Sequence, residues 1–121
     1  MARDSNVGSQ ALKRGDIYVV DWEPSVPGEP ANFSPALLLT NDDANQRLPH
    51  LMLAPLTTNT MRLYPFDVLL PITSSGLSES SKVQLNYLRG MNRSRIGAYL
   101  GSVPKSLMFE IDEKLRDHLK L

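Results

Sequence analysis

The chain has no cysteine and only two histidines in 121 residues. The first absence excludes disulfides, thiolate zinc sites and cysteine nucleophiles. His50 and His118 lie far apart in the chain, and His118 falls in a segment with helical periodicity. No zinc-type ligand cluster is available from them, and no metal is expected. The acidic pair Asp42-Asp43 reads as a turn rather than a cation site. Seven scattered glycines form no phosphate loop, and no GxSxG elbow occurs, which argues against ATP, dinucleotide and acyl-transfer chemistry. No apolar run is long enough to cross a bilayer, and the opening MARDSNVGSQ has no apolar signal core. A cytoplasmic protein without a membrane partner is expected, and no cofactor is called for.

A chain of this length supports one domain and one modest core. Residues 1–12 are polar and aperiodic and read as a flexible tail, leaving 13–121 as the domain. Thirteen basic and thirteen acidic residues cancel, which argues at first against a nucleic-acid partner. Their distribution says more. Residues 1–43 hold three Lys/Arg against seven Asp/Glu. Residues 44–103 hold six (Arg47, Arg62, Lys82, Arg89, Arg93, Arg95) against two (Asp67, Glu79). The middle of the chain is locally basic and rich in arginine, the cation suited to gripping phosphate with defined geometry.

Periodicity sets out the fold. Residues 16–22 form a strand with bulky groups on both faces, Ile17 and Val19 against Tyr18, Val20 and Trp22. Such a strand is central in its sheet or has one face in a subunit interface. A proline-rich loop over 23–35 leads to a buried strand at 36–40, and a second loop is expected over 41–49. Apolar runs at 51–56 and 66–70 read as strands that hold a loop of hydroxyls, an amide, an arginine and a tyrosine between them. A third loop over 72–81 precedes a strand at 82–88, broken by Arg89-Gly90, and a short strand near 95–100. From Pro104 to Leu119 the period becomes helical, with Leu107, Met108, Ile111, Leu115 and Leu119 in one stripe. Glu110 with Lys114, and Asp112 with Arg116, have the spacing of surface pairs on that helix. The expected class is α+β: a small, strongly curved antiparallel sheet or partial barrel of five to seven strands, closed by a C-terminal helix.

Hydroxyls, amides and arginines suit cleavage of a phosphodiester whose nucleophile comes from the substrate, as the 2′-OH does in RNA. Such a site needs a proton acceptor, positive donors for the pentavalent phosphorus and a donor for the leaving 5′-oxygen.

Several separated blocks resemble the MazF/PemK-type toxins, the mRNA interferases of bacterial toxin–antitoxin pairs. They are Lys13-Arg14-Gly15-Asp16-Ile17-Tyr18, then Pro35-Ala36-Leu37-Leu38-Leu39-Thr40-Asn41-Asp42, then Pro55-Leu56-Thr57-Thr58-Asn59-Thr60 with Tyr64-Pro65-Phe66. Leu88-Arg89 with Arg95-Ile96, and Leu107-Met108 followed by Ile111-Asp112-Glu113-Lys114-Leu115, complete the set. The resemblance implies an SH3-like barrel, an architecture shared with gyrase-poisoning toxins. It also implies a homodimer that cuts single-stranded RNA without metal, leaving a 2′,3′-cyclic phosphate and a 5′-OH. A cognate MazE-like antitoxin would inhibit it by laying a disordered acidic segment over the RNA site.

Carried over by position, the family's catalytic threonine falls on Thr57. The family's catalytic arginine precedes the proline of the second strand, and that place is held by Ser34, beside Phe33. Another arginine has taken over, or the loop is shifted, or the chain is weakly active or only binds. Arg89 and Arg62 are the leading substitutes, with Arg47 and His50 behind them. Tyr87, Gly90 and Asn92 also depart from the family's usual residues around Arg89. Asn59, Thr58, Tyr64, Phe33, Ser34, Arg47 and Tyr87 are the candidates for holding RNA, by stacking and by hydrogen bonds to base edges.

Overall fold

A computed structural model describes residues 11–30, 32–72 and 77–121. Seven strands follow one another: β1 Asp16–Asp21, β2 Phe33–Leu38, β3 His50–Thr57, β4 Asp67–Leu70, β5 Ser81–Gln84, β6 Arg89–Asn92 and β7 Ile96–Ser102. A short helix α1, Asp42–Arg47, links β2 to β3, and the chain ends in α2, Lys105–Leu119. All pairings are antiparallel, in the order β4-β5-β3-β2-β1-β7, with β6 also on β3. β3 therefore has two partners along one edge. His50 to Leu53 pair with β6, while Leu56 and Thr57 pair with β5. This is the curved antiparallel sheet with a C-terminal helix that the sequence pattern implied.

The pleat sorts side chains into two cores. Ile17, Leu37, Ala54, Leu56, Val68 and Val83 face α2 and pack on its Ile111. Tyr18, Val20, Trp22, Ala36, Leu38, Leu51 and Leu53 face the other way and are covered by Met91, Ile96 and Leu12. The two-faced character of β1 is thus satisfied within one chain, by its central place between β2 and β7. Leu12, expected in the tail, belongs to the second core. Residues 1–10 lie outside the described part.

Several expectations need correction. The segment 41–49 is not all loop. Asn41 caps a helical turn by accepting the Ala44 N–H at 2.9 Å, and Asp42 and Asp43 occupy its positive end. Asp42 also accepts the Arg14 N–H at 2.7 Å, which holds its carboxyl below the ordinary range. The stretch 82–88 is not one strand: β5 stops at Gln84, a single 3₁₀ turn covers Leu85–Tyr87, and Arg89-Gly90 opens β6 instead of breaking structure. The prolyl loop ends earlier than residue 35, since Ser34 and Pro35 pair with Val20 and Val19 inside β2. On α2, Asp112 bonds Arg14 at 2.5 Å rather than Arg116, whose neighbour is Glu113 at 3.7 Å. Leu119 is 48% exposed and falls outside the apolar stripe. The loop expected over 72–81 includes residues outside the described part, and Ser81 already belongs to β5.

Ile111 is the one fully buried residue of α2. Ile111→Ala is expected to destabilise the chain by about 2–5 kcal/mol, read from the urea midpoint. The exposed change Phe109→Ala should move it by less than about 0.5 kcal/mol.

Candidate nucleic-acid site at the uncovered end of the sheet

On β3 the odd-numbered side chains point to the second core, so after Leu51 and Leu53 come Pro55 and Thr57. There the apolar cover runs out, and Thr57 is only half-buried. Its Oγ1 accepts the Asn59 N–H at 3.2 Å, and Asn59 Oδ1 accepts the Met61 N–H at 3.4 Å. These local turns use the threonine oxygen as acceptor and leave its proton free to be donated.

Thr57 has a cation beside it that the sequence reading did not single out. Lys82 of β5 is its direct cross-strand partner, so the two side chains share a face. Lys82 is nearly buried, its ammonium 3.0 Å from Asp67, whose side chain is wholly buried. The ammonium also donates to the Arg62 carbonyl at 2.6 Å and lies 5.4 Å from the Tyr64 ring. Asp67 in turn accepts the Tyr64 N–H at 2.8 Å. One ion pair thus folds the β3–β4 loop back toward Thr57. The Arg62 guanidinium stands 5.8 Å over the Tyr64 ring and donates to its hydroxyl at 3.4 Å. Tyr64 is stacked on Phe66 at 5.4 Å, so this ring, expected to stack on RNA, is already part of the scaffold.

On the other flank of β3, the register pairs Ala36 with Pro55. Carried two residues further, the same count brings Ser34 opposite Thr57. The Ser34 carbonyl accepts the Trp22 indole N–H at 3.3 Å, and the Trp22 carbonyl accepts Arg89 Nη1 at 3.4 Å. Arg89, which pairs with Leu53, is thereby tied through Trp22 to the Ser34 strand. Beside Trp22 lies a cleft of about 370 Å³ bordered by Arg89 and Tyr87. Arg95 fastens the loop above it through the Asp21 and Glu23 carbonyls, and the Tyr87 hydroxyl donates to the Gly28 carbonyl at 2.8 Å.

Two of the proposed substitutes for the missing arginine lie elsewhere. His50 opens β3, seven residues before Thr57 and so about 23 Å away along the strand. Arg47 sits on α1 and pairs with Asp43 at 3.1 Å. Phe33, 73% exposed, begins β2, and Thr58 and Asn59 are exposed just past Thr57.

The basic middle of the chain is largely consumed by the fold. Lys82 is neutralised by Asp67, Arg95 neighbours Asp21 at 4.0 Å, and Arg93 donates to the Asn45 and Leu48 carbonyls. Among the described residues, Arg62 and Arg89 have neither a carboxylate partner nor more than one hydrogen bond from the guanidinium. No group of three His, Cys, Asp or Glu among the described residues could hold a metal ion.

A curved antiparallel sheet of seven strands with a C-terminal helix is the architecture of a class of small toxins. Residues 13–119 match the family model described as PemK-like, MazF-like toxin of type II toxin-antitoxin system, and the chain belongs to that family. It is 34% identical to Endoribonuclease MazF9 of Mycobacterium tuberculosis over 115 residues, covering 91% of this chain and 98% of the relative. The crystal structure of MazF from Deinococcus radiodurans superposes with a TM-score of 0.78 at 26% identity, over 92% of this chain and 98% of that one. A MazE–MazF complex from the same organism gives 0.68 at 25% identity, over 91% and 97%.

Lys82→Met leaves the Asp67 carboxylate buried without its counter-ion, an expected loss of about 3–5 kcal/mol in chemical denaturation. Adding Asp67→Leu to Lys82→Met should recover most of that stability, and failure to recover any would show that the loop is held by other contacts.

Proposed function

We propose that this chain is a metal-independent endoribonuclease toxin that cuts single-stranded RNA at the Thr57 end of the sheet. The 2′-OH attacks the adjacent phosphorus, the P–O5′ bond breaks, and the products carry a 2′,3′-cyclic phosphate and a 5′-OH. The 2′-OH proton passes to water as the new P–O bond forms, and water returns one to the departing 5′-oxygen. The observation that carries the reading is that two arginines without a carboxylate partner are each tied to a strand beside Thr57, Arg62 through Lys82 of β5 and Arg89 through Trp22 to the Ser34 strand. Thr57 donates its hydroxyl proton to a non-bridging oxygen, and the two arginines supply the positive charge that grows more valuable as the phosphorus becomes pentavalent. Asn59, Thr58, Phe33, Tyr87 and the backbone near Ser34 hold the RNA. Lys82 is a positioning residue, since its ammonium is engaged with Asp67 and the Arg62 carbonyl.

The chain acts in the cytoplasm as a homodimer, and a cognate MazE-like antitoxin covers the same surface. The acidic antitoxin segment competes with RNA for Arg62 and Arg89, the charges that no internal carboxylate satisfies.

A second reading is favoured by Ser34. It lies in register inside β2, directly before Pro35, so a strand backbone holds a serine where the resemblance places the arginine. A relative without that arginine could bind RNA or antitoxin without cutting.

Purified protein is expected to cut a long single-stranded RNA in EDTA. Thr57→Ala should lower the rate by about 10²–10³-fold with circular dichroism unchanged. Arg62→Ala should slow cleavage as well, whereas Arg47→Ala should leave it near wild type. Folded wild-type protein that never cuts would select the binding-only reading.

A further inference from the structure

The cleft beside Trp22 has a chemistry that phosphate binding does not explain. Pro24 and Pro30 wall it on the loop side, Asn86, Tyr87 and Arg89 on the sheet side, and Glu29 adds a carboxylate. Local sequence fixes where that carboxylate stands. Val26-Pro27-Gly28-Glu29 forms a turn closed by Glu29 N–H to the Val26 carbonyl at 3.0 Å, with Gly28 at φ 94°. Proline followed by a glycine of positive φ is the pairing that a type II turn requires. Glu29 Oε1 then accepts the Val26 N–H at 3.0 Å, which restrains the side chain. The Tyr87–Gly28 bond anchors the turn over the cleft, and the Trp22 carbonyl restrains Arg89.

The result is an acceptor-only group and a donor-only group at one concave site, with Tyr87 as its partly exposed aromatic ring. A phosphate would meet repulsion from Glu29. An uncharged base with a donor edge beside an acceptor edge satisfies both groups. Guanine fits best, because its N1–H and N2–H can both donate to one carboxylate while O6 and N7 both accept from one guanidinium. Cytosine and adenine each offer a single donor group, and uracil a single N–H.

We infer that this cleft is a base-reading subsite for guanine in the RNA, with Glu29 accepting from N1–H and N2–H and Arg89 donating to O6. The inference rests on the nuclease reading for its biological role, and it gives Arg89 a base contact besides the charge it lends the scissile phosphate. Trp22 and Tyr87 bring the subsite next to the Ser34 strand, so the base it reads is a near neighbour of the cut.

Trp22 is the only tryptophan of the chain and borders the cleft, so its fluorescence reports occupancy without requiring cleavage. The full chain is titrated with the 3′-monophosphates of guanosine, adenosine, cytidine, uridine and inosine. Guanylate should bind about tenfold more tightly than the adenosine, cytidine and uridine nucleotides. Inosinate, lacking the 2-amino group, should fall between. Glu29→Gln puts an amide N–H against a guanine donor, and should reduce the preference to about twofold or less. Glu29 is exposed, so the variant's fold should be intact, as circular dichroism would verify. Equal affinities, cytidylate tightest, no response at millimolar nucleotide, or an undiminished guanine preference in Glu29→Gln would each overturn the inference. Selective guanylate binding by a protein that cuts no RNA would keep the subsite and remove the nuclease reading. RNA cleavage by a protein that binds all nucleotides equally would do the reverse.

Discussion

The sheet must bury both of its faces within one short chain, and that constraint determines where a site can form. α2 covers one face through Ile111, while the strands after β5 curl over to cover the other with Met91 and Ile96. β3 serves both cores by simple alternation, Leu51 and Leu53 to one side, Ala54 and Leu56 to the other. The cover on the second face ends when β6 gives way to β5 along the β3 edge, between Leu53 and Leu56. Past that point the same pleat brings Thr57, only half-buried, to an open surface. Thr57 lies at a strand end whose backbone is fixed by sheet pairing, which is where a rigid fold can present a reactive group.

Electrostatics follow from the same geometry. A lysine directly across from Thr57 would ordinarily look like a phosphate ligand, but a wholly buried Asp67 holds its ammonium. Burial of that pair is tolerated because the ammonium also reaches the Arg62 carbonyl and the carboxylate the Tyr64 N–H. The pair therefore sets the path of a loop and leaves Arg62 to face solvent. Trp22 does the corresponding work on the other flank, joining the Ser34 carbonyl to Arg89 with its two ends. Neither contact uses the side chain of Ser34: Lys82 holds the Arg62 loop and the Trp22 carbonyl holds Arg89.

Much of the fold was legible because it depends on alternation and periodicity. The double-sided β1, the two runs around the polar loop and the α2 stripe as far as Leu115 each read correctly from spacing. α1 was missed because Asn41-Asp42-Asp43 is equally the signature of a turn and of a capped helix start, and the helix is only six residues long. β6 was missed because Arg-Gly reads as a breaker, whereas Gly90 sits across from Met52, whose sulfur lies 3.4 Å from where a Cβ would be. In the proposed site, Thr57 and the loop after it come from the resemblance. Lys82, Trp22 and Glu29 were not, since their parts depend on cross-strand register and on a turn folding back over a strand distant in sequence. The charge count misled in a specific way: most cations of the basic middle are spent on carboxylates and carbonyls that only the fold brings near.

The most direct test of a site at this end of the sheet is NMR mapping with a single-stranded RNA made uncleavable by 2′-deoxy substitution. The account predicts shift changes concentrated on Thr57, Asn59, Arg62, Lys82 and Arg89 and on the Trp22 indole N–H, with His50, Arg47 and the exposed side of α2 unmoved. Changes centred on α1 and His50, with Thr57 and Arg62 silent, would contradict it.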